Sequence, residues 1–133
     1  MIAVDSSGSV MDVPFQRIKL FISNLTTRFK STPSTYFSLL YYNYNVVTLT
    51  TLPEKIPSSL RLRNLIKDMR YLGQATLTQK ALRAAKTEFD NGARKVPGIE
   101  QVLILFTDGR TYGGKQTLRE PLKNLRDVSL PSL

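Results

Sequence analysis

The sequence predicts an α/β domain, with a mostly parallel sheet, helices on both faces and one antiparallel edge hairpin. Three observations carry this prediction. Strand-like segments alternate with segments whose apolar residues recur every three to four positions. Val102-Leu103-Ile104-Leu105-Phe106 is an unbroken apolar run, of the kind buried on both faces of a parallel sheet. Tyr36 to Tyr42 and Val46 to Leu52, rich in aromatic and β-branched residues, are separated only by Asn43-Tyr44-Asn45, which reads as a tight hairpin. A chain of 133 residues with 41% hydrophobic content supports one domain over residues 1–133.

Each element has its own signal. Met1 to Val4 reads as a short buried strand. Val13 to Lys30 then places Phe15, Ile18, Ile22, Leu25 and Phe29 on one helical face, with Asp12 and Pro14 marking the start. After the hairpin, Pro53 and Pro57 bracket a loop. Leu62, Leu65, Ile66 and Met69 then face one way while Arg61, Arg63, Lys67 and Arg70 face others, so this helix has a basic outer side. Gly73 to Thr78 forms a loop before Ala81, Leu82, Ala85 and Phe89 resume helical spacing, and Asn91-Gly92 ends that helix. Leu118, Leu122 and Leu125 outline a last helix, which accommodates Pro121 only within its first turn.

Composition excludes several chemistries. With no cysteine and no histidine, the chain has no thiolate zinc site, disulfide, Ser-His-Asp triad or Cys-His pair. The balance tilts toward binding and away from catalysis. Lys and Arg outnumber Asp and Glu by 19 to 10, a net charge of +9, which favours acidic or polyanionic partners. No apolar stretch approaches the ~18 residues of a membrane-spanning helix.

The chemistry concentrates at two strand ends. Ile2-Ala3-Val4 delivers Asp5, followed by the alternate hydroxyls of Ser7 and Ser9 around Gly8, and the Val102 to Phe106 run leads straight into Thr107-Asp108-Gly109. In open parallel sheets the binding crevice lies beyond the carboxyl ends of the strands. If the two strands are neighbours, Asp5 and Asp108 can share one hard cation, with Ser7, Ser9 and Thr76 completing an oxygen shell suited to Mg²⁺, Mn²⁺ or Ca²⁺.

These residues resemble a known family. Asp5-Ser6-Ser7-Gly8-Ser9 is similar to the DxSxS motif of von Willebrand factor type A (vWA) domains, as found in matrilins, non-fibrillar collagens and the inserted domains of integrins. Gly73 to Leu82 resembles the family's glycine-threonine loop, and Leu105 to Arg110 its strand-then-TDG segment. Gly92-Ala93-Arg94 before Val96-Pro97 resembles the extracellular-matrix members. The resemblance implies a Rossmann-like fold and a metal-ion-dependent adhesion site. Asp5, Ser7 and Ser9 supply its first loop, Thr76 the second and Asp108 the third, while Thr78 caps the following helix. It further implies a non-enzymatic, extracellular adhesion module, secreted or at the cell surface. Its partner would be collagen or another matrix or receptor protein offering an Asp or Glu carboxylate to the metal. Gln74, Ala75 and Gln79 depart from the family pattern, which predicts a stiffer or differently shaped second loop. The family fold continues after the helix near Leu118 with two further strands and a closing helix. The chain is therefore expected to be a segment of a larger protein, short at its N-terminus and truncated at its C-terminus, with the Val102 to Phe106 edge uncovered.

Two other readings are open at this stage. A metal-dependent phosphoryl-transfer enzyme would use Asp5 as nucleophile and Asp108 on Mg²⁺, but position 7 is serine and no lysine is suitably placed after a strand. Binding of heparan-type polyanions or nucleic acid through the basic helix is the third reading. Asn24-Leu25-Thr26 matches a glycosylation sequon but falls inside a predicted helix.

Overall fold

The computed structural model describes residues 1–8, 10–30, 36–52, 59–93 and 98–128, the side chains of 29, 30, 59 and 126–128 excepted. Ser9, the Phe29 side chain, the Pro53 and Pro57 loop and the 94–97 stretch lie outside the described residues. Among the described residues there are four strands: β1 (Ile2–Asp5), β2 (Leu39–Tyr42), β3 (Val46–Thr50) and β4 (Ile104–Phe106). They form one sheet in the order β3-β2-β1-β4. β1 runs parallel to both β2 and β4, and β2 pairs antiparallel with β3 across the predicted hairpin.

The helices are α1 (Asp12–Lys30), α2 (Ser59–Lys67), α3 (Thr78–Gly92) and α4 (Arg119–Val128), with a short 3-10 turn at Lys115–Leu118 before α4. Pro121 occupies the first turn of α4, where its missing amide costs no helical hydrogen bond. α1 and α2 bury Phe15, Ile22, Leu62 and Ile66 against Ile2, Val4, Leu39 and Tyr41 on one face of the sheet. On the other face, α3 contributes Ala81, which packs with Ala3, Leu40 and Tyr42, and Leu82, Ala85 and Phe89, which meet Leu125 of α4. β1 is thus covered on both faces and flanked on both edges, and all four of its residues are buried.

Two expectations need correction. The Val102 to Phe106 run is not a strand buried on both faces: only residues 104 to 106 pair, all three are half-buried, and Val102 is 54% exposed. Among the described strands β4 has a neighbour on one edge only, so its outer side chains lack cover. Phe106 is partly shielded by Phe21 of α1, the two rings meeting edge to face at 5.8 Å. In α4, Leu122 points outward at 42% exposure while Pro121 and Leu125 face inward, because the preceding 3-10 turn rotates the apolar face away from a simple Leu118, Leu122, Leu125 register.

Phe15 is fully buried whereas Leu20, on the same helix, is 68% exposed. Phe15→Ala is expected to lower unfolding stability by about 3–5 kcal/mol and Leu20→Ala by less than about 0.5 kcal/mol, as read from denaturant midpoints at unchanged slope.

Candidate metal centre

The site grows from the end of the central strand. Asp5, the last residue of β1, is wholly buried, and so are Ser6 and Ser7. The β1–β2 ladder continues one step beyond Asp5, with the Ser6 amide donating to the Tyr42 carbonyl at 2.8 Å. The chain then turns away from the sheet. Asp5 Oδ1 accepts from the Ser7 amide at 2.9 Å, which fixes the carboxylate against its own loop.

The second loop is fastened onto the first mostly by backbone. The Ser6 carbonyl accepts from both Leu72 and Gly73 amides, at 3.0 and 2.9 Å, and the Gly8 amide donates to the Gln74 carbonyl at 2.9 Å. A Cβ on Gly8 would lie 3.3 Å from the Gln74 backbone N and O, so the two loops approach this closely only with glycine there. Gln74 itself sits at φ 63°, in the left-handed region that side chains rarely adopt. Thr76 is buried, and its hydroxyl hydrogen-bonds the Ser7 hydroxyl. Two of the expected hydroxyl ligands therefore already stand side by side.

The third loop completes the group. The parallel β1–β4 register pairs Val4 with Phe106, so Asp5 and Thr107 leave the sheet together. The Thr107 hydroxyl donates to Asp5 Oδ2 at 3.2 Å and accepts from the Gly109 amide at 3.1 Å. Asp108 is exposed, and its Oδ1 accepts from the Arg110 amide at 2.9 Å. Burial raises the Asp5 pKa above its ordinary value. Hydrogen bonds from Ser7 and Thr107 oppose the rise, and the negative charge of nearby Asp108 adds to it. Asp5, Ser7, Thr76 and Asp108 are thus gathered at one sheet edge. Among the described residues no three His, Cys, Asp or Glu side chains cluster to hold a metal, and this group offers two carboxylates and two hydroxyls instead. That all-oxygen set fits a hard divalent cation, whose charge would offset the cost of keeping a buried carboxylate ionised.

Sequence reasoning missed several supporting residues. Tyr42, fully buried and paired in register with Asp5, hydrogen-bonds Thr78 through its hydroxyl at 3.1 Å. Its pKa is pushed up to about 12 by burial first, with the charges of Asp5 and Asp108 contributing. Its position at the end of the second strand was the available signal. Thr78 is not the helix cap: Leu77 holds that position without a side-chain bond. The Thr111 hydroxyl caps α3 from a distance, accepting from the Thr78 amide at 3.1 Å and donating to Gln79 Oε1 at 2.9 Å. The Tyr112 amide adds a bond to the Thr76 carbonyl at 2.7 Å. Gln79 therefore ties the second loop to the segment after Asp108, a role glycine could not perform.

The family model described as the von Willebrand factor type A domain matches residues 1–132. The chain belongs to the vWA domain family. Human (Homo sapiens) collagen alpha-6(VI) chain is 31% identical over 95% of this vWA domain, and matrilin-1 of Bos taurus 30% identical over 95%. The domain spans only 5% and 22% of those two proteins. Among solved structures, proximal thread matrix protein 1 of the mussel byssus, with a zinc-occupied MIDAS motif, superposes with a TM-score of 0.74 at 23% identity, over 96% of this chain and 35% of its own. That likeness bears on the fold. The extracellular setting expected from the sequence agrees with a collagen and a matrilin as relatives.

Two outcomes follow for the metal-free protein. A raised folded-state pKa means that Asp5 stabilises the fold most below the ordinary carboxylate pKa and that this contribution is lost as pH rises through the folded value. Once ionised the side chain is therefore a burden, and at neutral pH Asp5→Asn should melt at a higher temperature than the parent in chelator, with the difference shrinking as the pH falls. Thr111→Val, which removes the remote cap, should cost about 1 kcal/mol in the same melts.

Proposed function

We propose that this vWA domain is a divalent-cation-dependent adhesion module that binds an acidic residue of a partner protein through a bound Mg²⁺, with Mn²⁺ or Ca²⁺ as substitutes. The observation that carries the reading is the wholly buried Asp5, flanked by the paired Ser7 and Thr76 hydroxyls and electrostatically coupled to Asp108. Asp5, Ser7, Thr76 and Asp108, with Ser9, would hold the ion. Bound there, the cation would offer an open position to an Asp or Glu carboxylate. The protein's own part is to keep the oxygens assembled and the approach open: Asp108 and Gly109 are exposed, and so are Gln74 and Tyr112.

The relatives support a matrix or cell-surface ligand, and collagen is a natural one to try first. A phosphoryl-transfer enzyme is not favoured. Both Asp5 oxygens already accept hydrogen bonds, from the Ser7 amide and the Thr107 hydroxyl, which lowers the nucleophilicity such an enzyme would require.

Mg²⁺ at about 100 times its dissociation constant should raise stability by about 2.7 kcal/mol over a chelator control. Asp5→Ala and Asp108→Ala should each abolish that gain, together with cation-dependent binding to immobilised collagen. Full Mg²⁺ stabilisation of Asp5→Ala would rule out this site, and turnover of an aryl phosphate that depends on Asp5 would favour the enzyme.

A further inference from the structure

The helix pair on the face away from α3 and α4 is unusual in its charge. Beyond Asp12, α1 carries Arg17, Lys19, Arg28 and Lys30, and α2 carries Arg61, Arg63 and Lys67, with no acidic residue in either stretch. Between the two helices lies an open groove of about 590 Å³, lined by Ser23, Asn24, Thr27 and Arg28 of α1 and Arg63 of α2. Both arginines are exposed. Two guanidinium forks thus meet one groove from opposite helices, with hydroxyl and amide groups between them.

The row extends along the seam. Lys67 lies one turn after Arg63, about 6 Å further along α2 on the same face. Lys19 takes no part in the row, because its ammonium is engaged by the Lys67 and Met69 carbonyls at 2.6 Å each. The groove begins eleven residues into α1, so it sits roughly 16 Å or more along that helix from the metal centre. It is a separate surface and does not depend on the cation reading.

We propose that the α1–α2 groove binds a linear sulfated polysaccharide, with Arg28 and Arg63 pairing with its sulfate groups and Ser23, Asn24 and Thr27 supplying further hydrogen bonds. Guanidinium forks suit planar or tetrahedral oxyanions. A row of cations along a seam suits a chain of anions better than a single ion. Among the described residues no aromatic side chain lines the groove, and stacking on aromatics is how single-stranded nucleic acids are commonly held.

The test uses the whole chain made in bacteria, so that Asn24 carries no glycan, and a heparin-derived octasaccharide as probe at about 150 mM salt. Arg28→Gln/Arg63→Gln should weaken binding by roughly tenfold or more and flatten the dependence of log Kd on log salt. Thr27→Glu, at an exposed side chain whose hydroxyl bonds the Ser23 carbonyl, should do the same, and it decides the matter if the double variant fails to fold. Arg119→Gln/Lys123→Gln, which removes equal charge from α4, should change binding by less than about twofold. Chelator should have no effect. The proposal fails if the α4 variant loses as much as the groove variant, if a desulfated octasaccharide binds equally well, if a single-stranded oligonucleotide outcompetes heparin, or if the parent does not bind.

Discussion

An ionisable carboxylate with no exposed surface, at the end of the most enclosed strand, is the constraint around which this domain is organised. Asp5 is inaccessible because β1 is paired on both edges and covered on both faces. The same enclosure gives the strand end its fixed position. A buried carboxylate is costly unless it is hydrogen-bonded or paired with positive charge. Ser7 and Thr107 provide the first remedy, and they come from two different loops. Positive charge is the second, and among the described residues no Lys or Arg pairs with Asp5. The remaining deficit is what makes a cation the natural complement.

The loops around Asp5 hold their shape through bonds that involve no ligand. Ser6 anchors Leu72 and Gly73, Gly8 anchors Gln74, and the Thr111 hydroxyl with the Tyr112 amide anchors the third loop to the second. A site assembled in this way needs little ordering when it binds, and avoided ordering is retained as affinity. The departures from the family pattern fit this view. Gln79 adds side-chain bonds to the Thr111 clamp and to the Tyr112 carbonyl, and Gln74 accepts an unfavourable φ in order to present its carbonyl to Gly8.

Much of this was legible in the sequence. Periodicity placed α1, α2 and α3, the Asn43-Tyr44-Asn45 turn set the hairpin, and two apolar runs ending in aspartate brought Asp5 and Asp108 to one edge. These features are local, or depend only on strand direction. What escaped depends on meetings between distant segments. That Thr111 caps α3 across 33 residues of sequence, or that Tyr42 lies beside Asp5, follows from register and loop closure and not from any local pattern. The Val102 to Phe106 run misled for the same reason: an apolar run signals capacity for burial, whereas the number of neighbouring strands determines how much burial is realised.

The two ends of the charge distribution do different physical work. At the candidate metal centre the protein is acidic, and a divalent cation would neutralise the Asp5 and Asp108 carboxylates and offer an open position to an incoming one. Along α1 and α2 it is basic and open, a charge pattern that would attract anions without any intermediary. Exposed charges act over roughly a Debye length, about 8 Å at physiological salt, which is shorter than the span from the groove to the loops. The helix pair therefore does little to tune the affinity of the ion. On the proposed readings the helix pair would hold an anionic chain in its own groove, and selection of a carboxylate would fall to the short-range contacts around Asp5.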